Sequence, residues 1–361
     1  MCSGTATFSS CQIIVNQKQQ FVSNKEFSAE EFLDNLLTKG SCAACDESSE
    51  IFNRDELPPF YNEEMYKRGQ SYFHKHLFGM FLGKMLGLLC GLAIQSSLAI
   101  LILTKMSSTE LTAYKRYVAT IFHMMIWYDS EFKPGSRLWE SIKDIKSKHN
   151  SASKKASNIL KYRINQKDMA LTQFDFMGLA LTRSNFLGIY DNDNEADLKC
   201  FVHVWRVIGY CIGIEDEFNI CRESVEETRA ICNEILSKVI LPAVEEKNEK
   251  SREMCSYLMN GLWAINPFLN VNTFLFYLNL TLKNSKADAN ENNEEYKKLT
   301  KGEKARLNII FFVTKVMQYP LVRICLRAFQ IHALWVAKTF PFLAYYKFGR
   351  ANSHVKIMGN H

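Results

Sequence analysis

The chain has 361 residues, 47% hydrophobic and 23% charged, a globular composition that excludes disorder as its general state. Seven prolines and 16 glycines are few for a turn-rich β-sandwich, and eleven cysteines are too dilute, and odd in number, for a disulfide scaffold. The formal net charge of +6 is uneven: from Lys304 onward there are nine Lys/Arg and no Asp or Glu, which leaves 35 basic against 38 acidic residues, or −3, in the remainder.

Residues 1–56 read as a polar extension. Their opening, MCSGTATFSSCQIIVNQKQQ, lacks a basic stretch followed by an apolar one, so a cleaved secretory signal is not expected, and reduced thiols in an intracellular, cytosol-facing chain are. Within the extension, EFSAEEFLDNLL has the pattern of a short amphipathic helix opened by Ser28 with Glu31 as capping partner. Cys42 and Cys45 form a lone CxxC; without a second pair at zinc spacing, two unpaired thiols in a loop are the expectation.

Residues 57–282 read as one helical domain. Met85–Leu103 is uncharged for 19 residues, long enough to cross a bilayer, but Gln95, Ser96 and Ser97 interrupt it and favour a buried core helix. Thr109–Tyr128 is a helix capped by Ser107 or Ser108, and Ser141–Lys161 is polar. Lys167–Leu181, Asp197–Gly213 and Val225–Leu241 are further helices. Met254–Leu282 is a second uncharged run whose Pro267 and five asparagines suit a buried core better than lipid. Strand patterns are nearly absent, so the fold class is all-α.

Residues 283–306 are charged and Asn-rich, an exposed linker in this reading, and 307–361 form a basic, apolar helical tail. Lys315, Arg323, Arg327 and Lys338 punctuate Leu307–Tyr346, leaving two readings open: an interfacial amphipathic helix, or a helical hairpin docked on the core. Basic and apolar residues in one stretch suit an anionic membrane surface, whereas nucleic acid would call for a solvated basic patch.

GxSxG, GxxxxGK[ST], GxGxxG and HExxH are all missing, so candidate chemistry rests on histidines and on polar residues within apolar helices. Arg116, Thr120, His123 and Trp127 share one helical stripe, which is either a solvated face or a set of buried polar groups in need of partners. His149 stands among lysines and serines in KSKHNSASKKAS, where a surface histidine and an axial donor to haem iron are the alternatives. His203, Arg206 and Tyr210 share another helix face, with Asp216, Glu215 and Asp175 as pairing partners.

The segment Gln166–Cys221 resembles the signature of the family of bacterial latex-clearing proteins (rubber oxygenases) and the ER-bound oxygenase of mycophenolic acid biosynthesis. The likeness is carried by DMALTQF, by Leu187–Ile189 and by WRVIGYCIGI at Trp205–Ile214, and extends loosely over residues 60–282. It implies an all-α, globin-like helical core with extra N- and C-terminal helices, haem b as cofactor, O2 as co-substrate and an apolar substrate, isoprenoid or lipid. It also implies association with the endoplasmic reticulum membrane. His149 occupies the place of the family's axial histidine, with His123 as the alternative, and Arg116-x-x-x-Thr120 matches the pair over the distal side of the haem. Lys146, Arg163, His203 and Arg206 are further candidates around the cofactor, the cations serving its propionates. Two departures stand out: Ala119 replaces a lysine that closes the distal iron position in a well-known member, and Met85–Leu103 contains no acid where a glutamate base is expected. The resemblance is thus compatible with an oxygenase, with a catalytically silent haem- or lipid-binding module, or with a membrane-associated structural protein.

Overall fold

The computed structural model describes residues 27–46, 51–190 and 195–358. The stretch read for a secretory signal lies outside them. The fold is all-α: about 75% of the chain is helical and the described residues contain no strand, only an isolated bridge between Ala44 and Asn165. Helices of seven residues or more are α1 (Ala29–Cys42), α2 (Glu63–Lys75), α3 (Leu77–Ala93), α4 (Gln95–Thr104), α5 (Glu110–Asp129), α6 (Arg137–Leu160) and α7 (Gln166–Thr182). They continue as α8 (Glu195–Ile212), α9 (Val225–Ile235), α10 (Glu249–Leu262), α11 (Val271–Leu282), α12 (Lys301–Val316), α13 (Pro320–Thr339) and α14 (Phe342–Phe348).

Side-chain caps open most of these helices. Ser28 accepts from the Glu31 N–H at α1, and Asn165 and Asp168 form a reciprocal capping box at α7. At α5 the cap is Thr109, boxed with Thr112, and not Ser107 or Ser108. The hydroxyl one position nearer the helix reaches the free N–H groups of the first turn. After α9 the backbone widens into a π turn at Leu236–Ile240, directly before Pro242, whose ring offers no N–H to the normal ladder.

At the centre, α3 packs along α7, and glycine makes that approach possible. A Cβ on Gly87 would fall on the Asp175 carbonyl oxygen, and one on Gly91 on the Asp175 carboxylate. The uncharged run Met85–Leu103 is therefore not one core helix. It breaks at Ile94, and the polar triplet forms the first turn of α4, where Gln95 meets Glu246 and Ser96 bonds Asp168 at 2.8 Å. No single described helix is long and apolar enough to cross a membrane; α2 and α3 meet at 89°.

The segment read as a polar extension contributes a core helix: Leu33 and Leu36 of α1 are fully buried, a gain of about 1.5–3 kcal/mol each. Likewise the charged linker gives way at Lys301 to α12, whose Leu307, Ile310 and Thr314 are buried. The apolar period of α12 is short and its first turn is charged, so the sequence places its start too late.

Candidate functional site

The helices α5 and α6 form an antiparallel pair joined by residues 130–136. Near the connection they are tied by a chain of polar contacts. The Trp127 indole N–H donates to Ser141 Oγ at 2.9 Å, Ser141 Oγ lies 2.7 Å from His123 Nδ1, and His123 Nε2 lies 3.3 Å from Asp144 Oδ2. That last contact is an ion-pair distance without hydrogen-bond geometry. Burial and then Lys148 lower the His123 pKa from 6.5 to about 4, against an opposing pull from Asp144, so the ring is neutral. With the indole donating to Ser141, the Ser141 hydroxyl is free to donate to His123 Nδ1, which leaves the proton on Nε2, toward Asp144. His123 is thus hydrogen-bonded through Nδ1 and near a carboxylate through Nε2; of the stripe it shares with Arg116, Thr120 and Trp127, His123 and Trp127 are buried and the other two half-buried.

Farther from the connection, the Arg116 guanidinium of α5 is near enough to His149 of α6 to act on it electrostatically. Burial, then the Arg116 guanidinium, then Lys146 and Lys148 push the His149 pKa from 6.5 to about 4. Its Nδ1 is buried and finds no hydrogen-bond partner, although the residue as a whole keeps some accessible surface. A neutral imidazole carries one donor and one acceptor, and an orphaned buried nitrogen costs about 1–3 kcal/mol. Arg116 has no carboxylate partner among the described residues; the nearest aromatic ring is that of Tyr117, 5.9 Å from the guanidinium carbon. Thr120 spends its hydroxyl on the Arg116 carbonyl at 3.0 Å. In this stretch no side-chain hydrogen bond joins the two helices among the described residues, in contrast to the tied end.

The other candidates are engaged elsewhere. Lys146 is buried, and burial lowers its pKa while Cys45, Cys211 and Asp46 oppose the fall, which sets its ammonium on the side of the segment after α1. Arg163 pairs with Asp46 at 2.6 Å. The His203 Nε2 accepts the Asn62 N–H at 3.1 Å, at the start of α2, and burial lowers its pKa to about 4. Arg206 holds Asp216 through a two-oxygen contact at 3.1 Å, reaches Glu223, and lies 4.2 Å from the Phe60 ring centre. Of the three acids considered for that pairing, Asp216 is the partner; Glu215 accepts from Gln166, and Asp175 lies against Gly91. The structure therefore sets Arg116 within electrostatic range of His149, leaves Thr120 bonded within its own helix, and gives His203 and Arg206 visible structural duties.

Two buried titratable groups stand apart: Lys84, which was not singled out from sequence, and Asp175, which does not pair with Arg206. Lys84 of α3 lies 3.1 Å from Met124 Sδ and 4.1 Å from the Phe176 ring centre, and burial pushes its ammonium pKa well below 10.5. Burial likewise raises Asp175 well above the usual carboxylate range, and its Oδ1 has no partner. A lone lysine in LFGMFLGKMLGLLCGLA was the available signal for the first. Cys42 is exposed, whereas Cys45 is buried with its thiol 3.1 Å from the Gly213 carbonyl, and no group of three or more metal-ligating side chains exists among the described residues. Two open surface cavities, of about 610 and 790 Å³, have polar walls that include Cys42 and Arg163 in one and Arg206 and Glu223 in the other.

Compared with protein-family models, with curated proteins and with solved structures, the chain matches none. What the fold and site define is a class only: an all-α protein with a half-buried imidazole whose buried Nδ1 lacks a hydrogen-bond partner, within the field of a guanidinium without a carboxylate among the described residues.

Proposed function

We propose that the chain is a haem b-dependent oxygenase-like protein that takes O2 and an apolar substrate, isoprenoid or lipid in character. The observation that supports this reading most is His149: a neutral, half-buried imidazole with an orphaned nitrogen, under the influence of the Arg116 guanidinium. His149 is the donor such a cofactor would need. One imidazole would hold the iron, and the low proton affinity of His149 keeps its ring available as a ligand at neutral pH. Haem would supply the redox chemistry with oxygen. The chain itself would contribute a fixed cation and a hydroxyl: Arg116 places positive charge where an anionic or polarised group is held, and Thr120 keeps the helix register through its bond to the Arg116 carbonyl.

Titration of the purified protein with haem tests this directly. A Soret band should appear, and His149→Ala should abolish or shift it. An unchanged band in the variant removes His149 as the ligand. A second reading, a haem- or lipid-binding module without turnover, is favoured by Ala119 in the distal stretch and by the absence of an acid from Met85–Leu103. Oxygen uptake by the haem-loaded protein with a panel of polyisoprenoids separates the two readings, since sustained silence supports the module.

A further inference from the structure

The helix α13 lies against α2 and α3, yet Ala337 is its one buried residue. Its outward face is apolar. Leu321, Ile324, Ala328, Ile331 and Trp335 follow one another at three- and four-residue intervals, all exposed, with Leu321 at 77%, Ile324 at 62% and Trp335 at 58%. Before it, Ile309, Phe312 and Tyr319 are exposed, and after it Phe340, Phe342 and Tyr346. Eleven of the seventeen large hydrophobic side chains exposed among the described residues thus fall within 309–346, a concentration well beyond the scatter of single exposed residues.

Charge decides what such a face fits. Lys315, Arg323, Arg327 and Lys338 have no carboxylate partner among the described residues, and no acid follows Glu303 in the chain. A second copy of this chain would bring like charges together across a symmetric contact. An anionic bilayer offers the complement to both properties: headgroups for the cations, and an interface that takes Trp, Tyr and aliphatic side chains a few ångströms deep.

We infer that α13, with the exposed flanks from α12 and α14, is an interfacial docking face for an anionic lipid membrane, lying in the plane of the surface and not crossing it. This stands apart from the haem reading, because a chain that never takes up haem can still dock. Where both hold, the bilayer would present apolar substrates to the protein.

Sedimentation of the full-length protein with vesicles of phosphatidylcholine, alone or mixed with phosphatidylserine, tests the inference. The mixed vesicles should bind at least about tenfold more protein, and binding should weaken as salt is raised. Ile324→Glu and Trp335→Glu should each cut binding about tenfold or more, and Arg327→Ser and Lys338→Ser about fivefold each. All four side chains are exposed, so circular dichroism and the urea midpoint should stay unchanged. Equal binding to neutral vesicles, undiminished binding by the two glutamate variants, or a wild-type dimer in the ultracentrifuge that these variants dissolve would overturn it.

Discussion

Acid should destabilise the haem-free protein through His149, and the size of the effect follows from its surroundings. A pKa lowered from 6.5 to about 4, at about 1.4 kcal/mol per pH unit, corresponds to about 3.4 kcal/mol. The sign follows from proton binding. Between those values the unfolded imidazole takes up a proton that the folded one refuses, so stability is complete above pH 6.5 and falls as the pH drops toward about 4. His123 and His203, both lowered to about 4, add losses of the same sign. Comparison with His149→Gln isolates the one contribution, because the other two histidines are common to both proteins. In urea unfolding followed by circular dichroism, wild type should lose ground to the variant by about 1.4 kcal/mol for each pH unit below 6.5. The fully realised difference should approach about 3 kcal/mol, since part of the residue is uncovered. A difference that stays flat with pH would mean a solvated, ordinary histidine, and the cofactor reading would lose its support along with the titration.

Two further perturbations probe the helices around the site. Lys84→Met keeps the length of the side chain and removes an amine that folding strips of water; the variant should be the more stable at neutral pH. As the pH rises toward 10.5 that advantage should shrink by about 1.4 kcal/mol per unit, because the unfolded lysine then loses the proton the folded one already lacks; a constant gap across pH would refute it. Gly87→Ala should gain about 1 kcal/mol of helix propensity but meet the Asp175 carbonyl, an overpacking that costs about 1–3 kcal/mol or more, so a stabilised variant in urea unfolding would show that α3 and α7 can separate freely.

The all-α class and most helix positions were written in local pattern: apolar period, capping residues and the near absence of alternating runs. Local pattern misplaced what depends on neighbours. It put α1 in a polar extension because Leu33 and Leu36 are few among charges, and only α7 and α9, brought against them, make those positions core. It treated Met85–Leu103 as one element because Ile94 carries no breaking residue; the turn is imposed by where α4 must go, with Asp168 and Glu246 waiting for its first turn.

Residue order alone set out the chemistry available here: no acid after Glu303, an imidazole among cations, and a basic apolar tail. Tertiary structure alone decided which of those groups stay unpaired. His203 and Arg206 found partners in Asn62 and Asp216, whereas no protein group answers the buried Nδ1 of the half-buried His149, and Arg116, acting on it from α5, meets no carboxylate among the described residues. Pairing is a property of distance between chain segments, and burial sets its cost, so neither can be read from one stretch of residues.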